Sequence, residues 1–297
     1  MTGLILTSFE AALGIPEYVG YIFAFILGAC IGSFLNVVIY RVPNELSLLT
    51  SSACPNCKKP IRFYHNIPVF GWLMLGGKCR DCKEPISWRY PAIESLTGLV
   101  FLVVFIQIGL TPYLPVALAF AATMIALIFI DAEHMILPNV ITYPLFVIAL
   151  IIRVVYPIAF AGVNYFSDTK FAPISSLHDY PAWAVSLAGA LFGALIGGGS
   201  LWLVGAIWKL LRGVDAMGLG DVKLLFGIGA LLGWRLTVLT IFLGAFTGAI
   251  AGIIMITRQK DKDMQTQIPF GIFLGIGSIV AMLYGDQMIA WYLARFL

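Results

Sequence analysis

The sequence predicts an all-α polytopic membrane protein with about eight transmembrane helices and a small polar domain inserted after the first helix. Composition is the first reason: 60% of the 297 residues are apolar and only 11% are charged. The mean hydropathy of +0.95 lies far outside the range of soluble domains. The second reason is that apolar runs recur at the length that crosses a bilayer, which is about 20 residues.

Eight apolar segments are candidates for such spans, and the weakest of them is 221–234, because it is the shortest. Glycines recur at helical spacing in the later segments, for example Gly244 with Gly248 and Gly271 with Gly275. Such spacing favours close packing of helix backbones, because lipid offers no hydrophobic drive for association. The segments are 18–40, 93–110, 113–131, 138–157, 182–207, 221–234, 236–257 and 268–294.

The distribution of basic residues predicts the orientation. Acidic Glu10 and Glu17 flank the start of the first segment, and basic residues begin only at Arg41. We therefore expect an uncleaved anchor with its N-terminus outside. Of the 18 Lys and Arg residues, 14 then fall on the cytoplasmic side. The net charge of +3 reflects this bias. Nucleic-acid binding is not predicted, because the sequence shows no basic module with aromatic residues for base stacking. The predicted cytoplasmic loops are 41–92, 132–137, 208–220 and 258–267.

Three regions differ in character. Residues 1–40 form the N-terminal transmembrane anchor, residues 41–92 a polar cytoplasmic insertion, and residues 93–297 the membrane body. Residues 163–180 read as an external loop, because they contain turn-forming residues without periodicity. No internal repeat stands out.

Four cysteines in the insertion predict a metal site. Cys54 and Cys57 form one Cys-x-x-Cys pair, and Cys79 and Cys82 form another. Two such pairs complete the tetrahedral thiolate shell that zinc prefers. Four thiolates leave no open position, so zinc would staple the cytoplasmic domain and take no part in catalysis. Two disulfides or four free thiols are the alternatives, and a reducing compartment disfavours disulfides.

Two aspartates at the predicted cytoplasmic edge are candidate catalytic residues. Asp131 ends one apolar run, and Asp221 opens another behind Gly218 and Gly220. A carboxyl at a bilayer boundary is costly and usually marks function. Two adjacent carboxyls share one proton readily, so one can activate water while the other polarises a carbonyl. The glycines would leave room for an extended substrate backbone. Alternatively, Asp221 caps a helix and Asp131 contacts headgroups.

Two other classes of function remain open from the residues alone. A proton-coupled transporter could relay protons through Asp131 and Asp221. Transporters commonly show related halves, whereas the cysteine insertion has no counterpart in the second half. A zinc-stapled assembly scaffold would need neither aspartate.

An ordered set of motifs resembles the type IV prepilin peptidases, bifunctional membrane aspartic proteases of the GxGD class. The motifs run in family order from about residue 28 to residue 274. Besides the two cysteine pairs, they are GLGD at 218–221, IDAEHMILPNVITYP at 130–144, YHNIPVFGWLMLGGKC at 64–79, PISWRYPAIE at 85–94 and IPFGIFL at 268–274.

The resemblance implies cleavage of the basic leader of type IV prepilins or pseudopilins at the cytoplasmic face of the bacterial inner membrane. It also implies N-methylation of the new N-terminus with S-adenosylmethionine. By position, the catalytic aspartates fall on Asp131 and Asp221, and the active-site glycines on Gly218 and Gly220.

The resemblance implies that the four cysteines are ligands of a structural metal. It also links methylation to the segment before the second cysteine pair. That segment supplies Gly77 and Lys78. No glycine loop of the Rossmann type is present for the methyl donor. Glu94 is a candidate to hold the amine or the cofactor, or else a helix-start residue. The expected partners are the prepilin and membrane lipid, and the existence of a homo-oligomer is left open.

Overall fold

The protein is almost entirely helical in the computed structural model, which describes residues 14–157, 181–213, 218–258 and 269–296. The predicted external loop at 163–180 lies outside this range. Two isolated β-bridges occur, and the described residues contain no β-strand. The α-helices are α1 (Glu17–Arg41), α2 (Phe70–Met74), α3 (Arg89–Ile108), α4 (Leu114–His134), α5 (Asn139–Val155), α6 (Ala182–Ala194), α7 (Ser200–Arg212), α8 (Leu219–Arg258) and α9 (Phe270–Phe296).

Each of the eight apolar segments coincides with helix. Six helices, counting α6 and α7 as one continuous span, are long and apolar enough to cross a membrane in the described part of the chain. The count is lower than eight for two reasons. Helix α5 has 17 residues and falls just short of that length. Segments 221–234 and 236–257 form the single helix α8, which is broken at Gly233.

The chain divides into two compact units, Met1–Ala126 and Leu127–Leu297. In the first unit, α1 packs closely along α3. Glycines make this approach possible: a methyl group at Gly28 would lie 2.7 Å from the carbonyl oxygen of Thr97, and one at Gly98 would lie 2.9 Å from the ring of Phe25. Asn36 ties the helix ends by donating to the carbonyl of Tyr90 at 3.2 Å.

In the second unit, α5, α6 and α9 pack against α8. Of the glycines predicted to serve packing, Gly244 does so between α8 and α9. A methyl group at Gly244 would lie 3.0 Å from the side chain of Leu274, and one at Gly277, which was not predicted, would lie 3.1 Å from the carbonyl oxygen of Thr240. Helix α6 continues into α7 through a π-helical turn, Leu195–Gly199. These contacts fix the half of α8 that begins near Asp221.

A glycine break interrupts α8 in its middle. Gly233 has φ 76° and ψ 171°, a conformation that glycine adopts without steric cost. The break interrupts the helical ladder, so the carbonyls of the turn before it need other donors. Arg153 of α5 supplies them, although its side chain is fully buried. Its Nε donates to the carbonyl of Ala230 at 3.2 Å, and its Nη2 donates to that of Leu231 at 2.6 Å.

Replacing Arg153 should destabilise the membrane body. Methionine keeps the apolar part of the arginine side chain but has no hydrogen-bond donor, so Arg153→Met leaves two buried carbonyls without these donors. We expect a loss on the order of 2 kcal/mol or more, seen as a lower melting temperature of the purified protein in detergent. Arg295→Met, at an exposed residue in the last turn of α9, is the matched control. Equal melting temperatures for the two variants would contradict the capping role.

Candidate functional site

The two cysteine pairs adopt the same tight turn. The N–H of Lys58 donates to the carbonyl of Cys54 at 2.9 Å, and the N–H of Lys83 donates to that of Cys79 at 3.0 Å. Both lysines have positive φ, 59° and 61°. A second bond closes each turn, and isolated bridges pair Ala53 with Pro60 and Lys78 with Pro85.

These turns are a short internal repeat that sequence analysis missed. Residues 54–61 and 79–86 both read Cys-x-x-Cys-Lys-x-Pro-Ile. The expectation of no repeat was therefore wrong, because the unit of eight residues is far shorter than the repeats of solenoid or propeller folds.

The four cysteines converge. Their sulfur atoms all lie within 4.8 Å of one another, and the sulfurs of Cys54 and Cys82 are 3.7 Å apart. Tetrahedral zinc with Zn–S bonds of about 2.3 Å places its sulfurs about 3.8 Å apart. The four residues are free thiols. Backbone N–H groups of Cys57 and Asn56 donate to the sulfur of Cys54 and lower its pKa to about 7. The cluster thus fits a metal ion by donor type and spacing.

A second polar cluster in the first unit surrounds Glu94. Glu94 is the sixth residue of α3, and the first turn of this helix has no acidic residue. The helix-start interpretation is therefore wrong. The buried carboxylate instead accepts the N–H of Val69 at 2.7 Å and a hydrogen bond from Ser33. Val69 has φ 62°, which is strained for a β-branched residue. Glu94 thus holds the turn that leads into α2.

The two residues that the resemblance links to methylation, Gly77 and Lys78, lie just after α2 and differ in exposure. Gly77 is buried, with φ 68°, and a methyl group there would lie 2.8 Å from the ring of Trp72. Its carbonyl accepts the N–H of Ile86 at 2.7 Å. Lys78 beside it is exposed. The turn is therefore closely packed at Gly77 and presents the exposed side chain of Lys78 next to it.

Asp131 lies in the last turn of α4 and is buried. Its Oδ2 accepts the N–H of Ile272 at 3.1 Å, and the N–H of Gly271 also donates to this carboxylate. These donors belong to the first turn of α9, which begins at Phe270. Asp131 therefore caps a helix distant in sequence, and the positive end of that helix stabilises its negative charge.

Asp221 lies in the first turn of α8 and faces the same region. Its carboxyl group is close enough to that of Asp131 to interact electrostatically. Leu137 lies beside the glycines that adjoin the two aspartates: its side chain would be 3.1 Å from a methyl group at Gly220, and also 3.1 Å from one at Gly271. Among the described residues, a methyl group added at Gly218 would meet only Asp221 and Gly220, both at 3.9 Å. The structure thus brings Asp131, Asp221, Gly218 and Gly220 together.

Comparisons with known proteins cover most of the chain. Residues 26–108 match the bacterial peptidase A24 N-terminal domain, and residues 118–253 match the type IV leader peptidase family. A prepilin leader peptidase/N-methyltransferase of Pseudomonas aeruginosa is 37% identical over 90% of this chain and 91% of its own length. The chain belongs to the type IV leader peptidase family.

Other relatives of the same printed name lead to the same assignment. The protein of Aeromonas hydrophila is 34% identical over 97% of this chain and 98% of its own length. That of Neisseria gonorrhoeae is 38% identical over 78% of this chain and 81% of its own length. No solved structure gives a significant match. Membership of the leader peptidase family favours the enzyme over the transporter and scaffold hypotheses.

Three residues of the site were not predicted from sequence to belong to it. Gly271 and Ile272 lie in the motif IPFGIFL, and Leu137 lies in the motif around Asp131. Both motifs carried the resemblance, but the contacts depend on main-chain N–H groups and on an ordinary leucine. A proline just before an apolar segment, here Pro269, is typical of a helix start. That signal could have indicated free N–H donors at this point.

Proposed function

We propose that this chain is a membrane-embedded aspartic endopeptidase that removes the leader of type IV prepilins or pseudopilins and methylates the new N-terminus. The observation that carries the proposal is the buried Asp131, held beside Asp221 in the region that matches the leader peptidase family. The relatives named above are peptidases and N-methyltransferases by name. Two adjacent carboxyls at the ends of α4 and α8 provide the groups that peptide hydrolysis needs.

In the proposed mechanism the two aspartates have different roles. The N–H groups of Gly271 and Ile272 stabilise a negative charge on Asp131, so this carboxylate serves as the general base that activates water. Asp221 carries the shared proton and donates a hydrogen bond to the scissile carbonyl. Because Gly218 has no side chain, the extended backbone of the substrate can approach Asp221 at this point. Proton transfer to the leaving amine completes the hydrolysis.

The predicted distribution of basic loops also supports a proposal for the membrane and the side of it on which the site lies. We place the protein in the bacterial inner membrane with its N-terminus outside, and with the cysteine insertion and both aspartates on the cytoplasmic side. A basic leader would then remain in the cytoplasm while the apolar helix of the prepilin enters the bilayer. The scissile bond lies at the membrane surface, at the depth of the helix ends that carry the aspartates.

We assign zinc to the cysteine tetrad and S-adenosylmethionine to the methylation activity. The sulfur spacing and the all-thiolate donor set fit a closed structural zinc site. When bound, S-adenosylmethionine would supply the methyl group for the new amine. Lys78 directly precedes the third cysteine ligand, Cys79, and Gly77 directly precedes Lys78. Zinc bound to Cys79 would therefore fix the position of both residues. Glu94 holds the Val69 turn at the start of the same segment and acts as a positioning residue.

Replacing either aspartate by asparagine should abolish cleavage. Asp131→Asn and Asp221→Asn keep the shape of the side chain but remove the titratable oxygen. We expect the cleavage rate of a prepilin substrate in membranes to fall by roughly 10³-fold or more in each variant, since a lost acid or base costs about 10²–10⁴-fold. Asp286→Asn, in the C-terminal half of α9, is the control and should cleave normally. Retained cleavage in either active-site variant would refute the aspartic mechanism.

A methyl group at Gly271 should impair cleavage by displacing Asp131. It would lie 2.7 Å from Oδ2 of Asp131, so the carboxylate must move. We expect Gly271→Ala to reduce kcat by roughly 10²-fold, the cost of misplacing a catalytic group by about 1 Å. Gly248→Ala is the matched control, because its methyl group would meet only ordinary contacts, the nearest 3.4 Å away on Phe273. Equal rates would show that the contact with α9 does not position Asp131.

Zinc loss should accompany loss of methylation. Cys54→Ser combined with Cys79→Ser removes one ligand from each turn, so we expect elemental analysis to find about one zinc per chain in the wild type and little in the variant. Methylation of the cleaved product should fall with the metal.

The variant Lys78→Ala separates the two proposals. It keeps all four ligands and should keep zinc and cleavage while the product stays unmethylated, as mass spectrometry of its N-terminus would show. Near-zero zinc in the wild type would refute the metal assignment. Undiminished methylation in Lys78→Ala would refute the role of Lys78.

A further inference from the structure

The short helix α2 exposes a fully apolar face. Phe70 is 65% exposed, Met74 is 69% exposed and Leu73 is more than half exposed. Their spacing of three and four residues places them on one side of the helix. The opposite side holds buried Gly71 and half-buried Trp72, and Nε1 of Trp72 donates to the carbonyl of Ile86 at 3.0 Å. Helix α2 therefore uses its inward side for folding and leaves its larger apolar side chains uncovered.

Two aromatic side chains elsewhere in the insertion are also strongly exposed. Phe63 is 86% exposed and begins a 3₁₀ turn, Phe63–His65, that packs on α2. Trp88 is 74% exposed and immediately precedes α3. We call Phe70, Leu73 and Met74 the apolar face. Large apolar side chains that are exposed together indicate a membrane or protein contact.

The net charge of the insertion favours an anionic partner. Residues 41–92 contain eight Lys and Arg and three Asp and Glu, an excess of five positive charges. Lys59 pairs with Asp81 at 3.2 Å. Arg62 and Arg80 both donate to the hydroxyl of Tyr64, at 2.9 Å and 3.0 Å, and so place two guanidinium groups together. A basic segment that also exposes large apolar side chains is typical of segments that bind the surface of anionic membranes.

The position of the insertion supplies that surface. It starts where α1 ends at Arg41 and stops where α3 starts at Arg89. Both helices are long and apolar enough to span a membrane, so both ends of the insertion are fixed at the headgroup layer. Trp88 lies at one of these ends, where tryptophan is enriched in membrane proteins. The membrane surface is therefore close to the apolar face, and no further partner is needed to bring lipid to it.

We propose that the apolar face docks on the anionic headgroup layer of the membrane, with Phe70, Leu73 and Met74 inserted among the lipids. The lysines and arginines of the insertion contact lipid phosphates. The insertion thereby lies flat on the membrane surface. This proposal does not depend on the peptidase or methyltransferase activity.

Photocrosslinking in the full-length protein tests this docking. A benzophenone amino acid replaces Phe70, Met74 or, as the control, the exposed Glu84 of the second cysteine turn. Each variant is reconstituted into phosphatidylcholine vesicles with or without phosphatidylglycerol, irradiated and analysed by mass spectrometry. We expect lipid adducts several-fold more abundant at positions 70 and 74 than at 84, with a further increase when phosphatidylglycerol is present.

Two outcomes would overturn the proposal. Lipid adducts at 70 and 74 no more abundant than at 84 would show that the face does not meet lipid. Adducts to the protein itself, to a second copy or to added prepilin in place of lipid would assign the face to a protein partner. The metal content of each variant identifies an unfolded insertion, and Leu73→Glu in the position-70 variant should lower the lipid adduct if that insertion remains folded.

Discussion

Backbone polar groups inside a bilayer must be satisfied within the protein, and this requirement shapes the second unit. Helix α8 breaks at Gly233, and α9 starts at Phe270 with unpaired N–H groups. Buried charged side chains from other helices meet both needs: Arg153 donates to carbonyls before the break, and Asp131 accepts N–H groups at the start of α9. Each charge lies at the helix end of opposite polarity, where it is stabilised. These two caps hold the half of α8 that begins near Asp221 and the helix end that carries Asp131.

Asp131 consequently has two roles, one in folding and one in the proposed chemistry. A carboxylate buried for structure alone would be an expensive choice, since an uncharged side chain could also accept two N–H bonds. A charge that is required for hydrolysis can serve as the cap without additional cost. The same arrangement explains the glycine at 271, because a side chain there would occupy the space of the carboxylate. Leu137 fills the remaining gap between the turns of Gly220 and Gly271. The site is thus preorganised by main-chain contacts on one aspartate and left open on the other.

Hydropathy and spacing predicted much of this arrangement. The lengths of apolar runs located the helices, the cysteine spacing indicated the thiol cluster, and the cost of a carboxyl at the membrane edge indicated Asp131 and Asp221. The break at Gly233 could not be predicted, because an isolated glycine within an apolar run usually serves packing. The caps were also hidden: Ile272 lies 141 residues from Asp131, and Leu231 lies 78 residues from Arg153. In each cap one partner is the main chain, which every residue type offers equally. The exposure of α2 likewise depends on which of its sides the insertion uses for folding.

The central claim is that Asp131 and Asp221 act together on one tetrahedral centre. A leader peptide analogue in which a secondary alcohol replaces the scissile carbonyl mimics that centre, and transition-state analogues bind far more tightly than substrates. Its affinity should be measured with the purified wild-type protein and with each aspartate-to-asparagine variant. The account predicts tight binding to the wild type and a loss of roughly 10²-fold or more in both variants, the low end for such analogues. Equal affinity in the wild type and either variant would contradict the paired action of the two carboxyls.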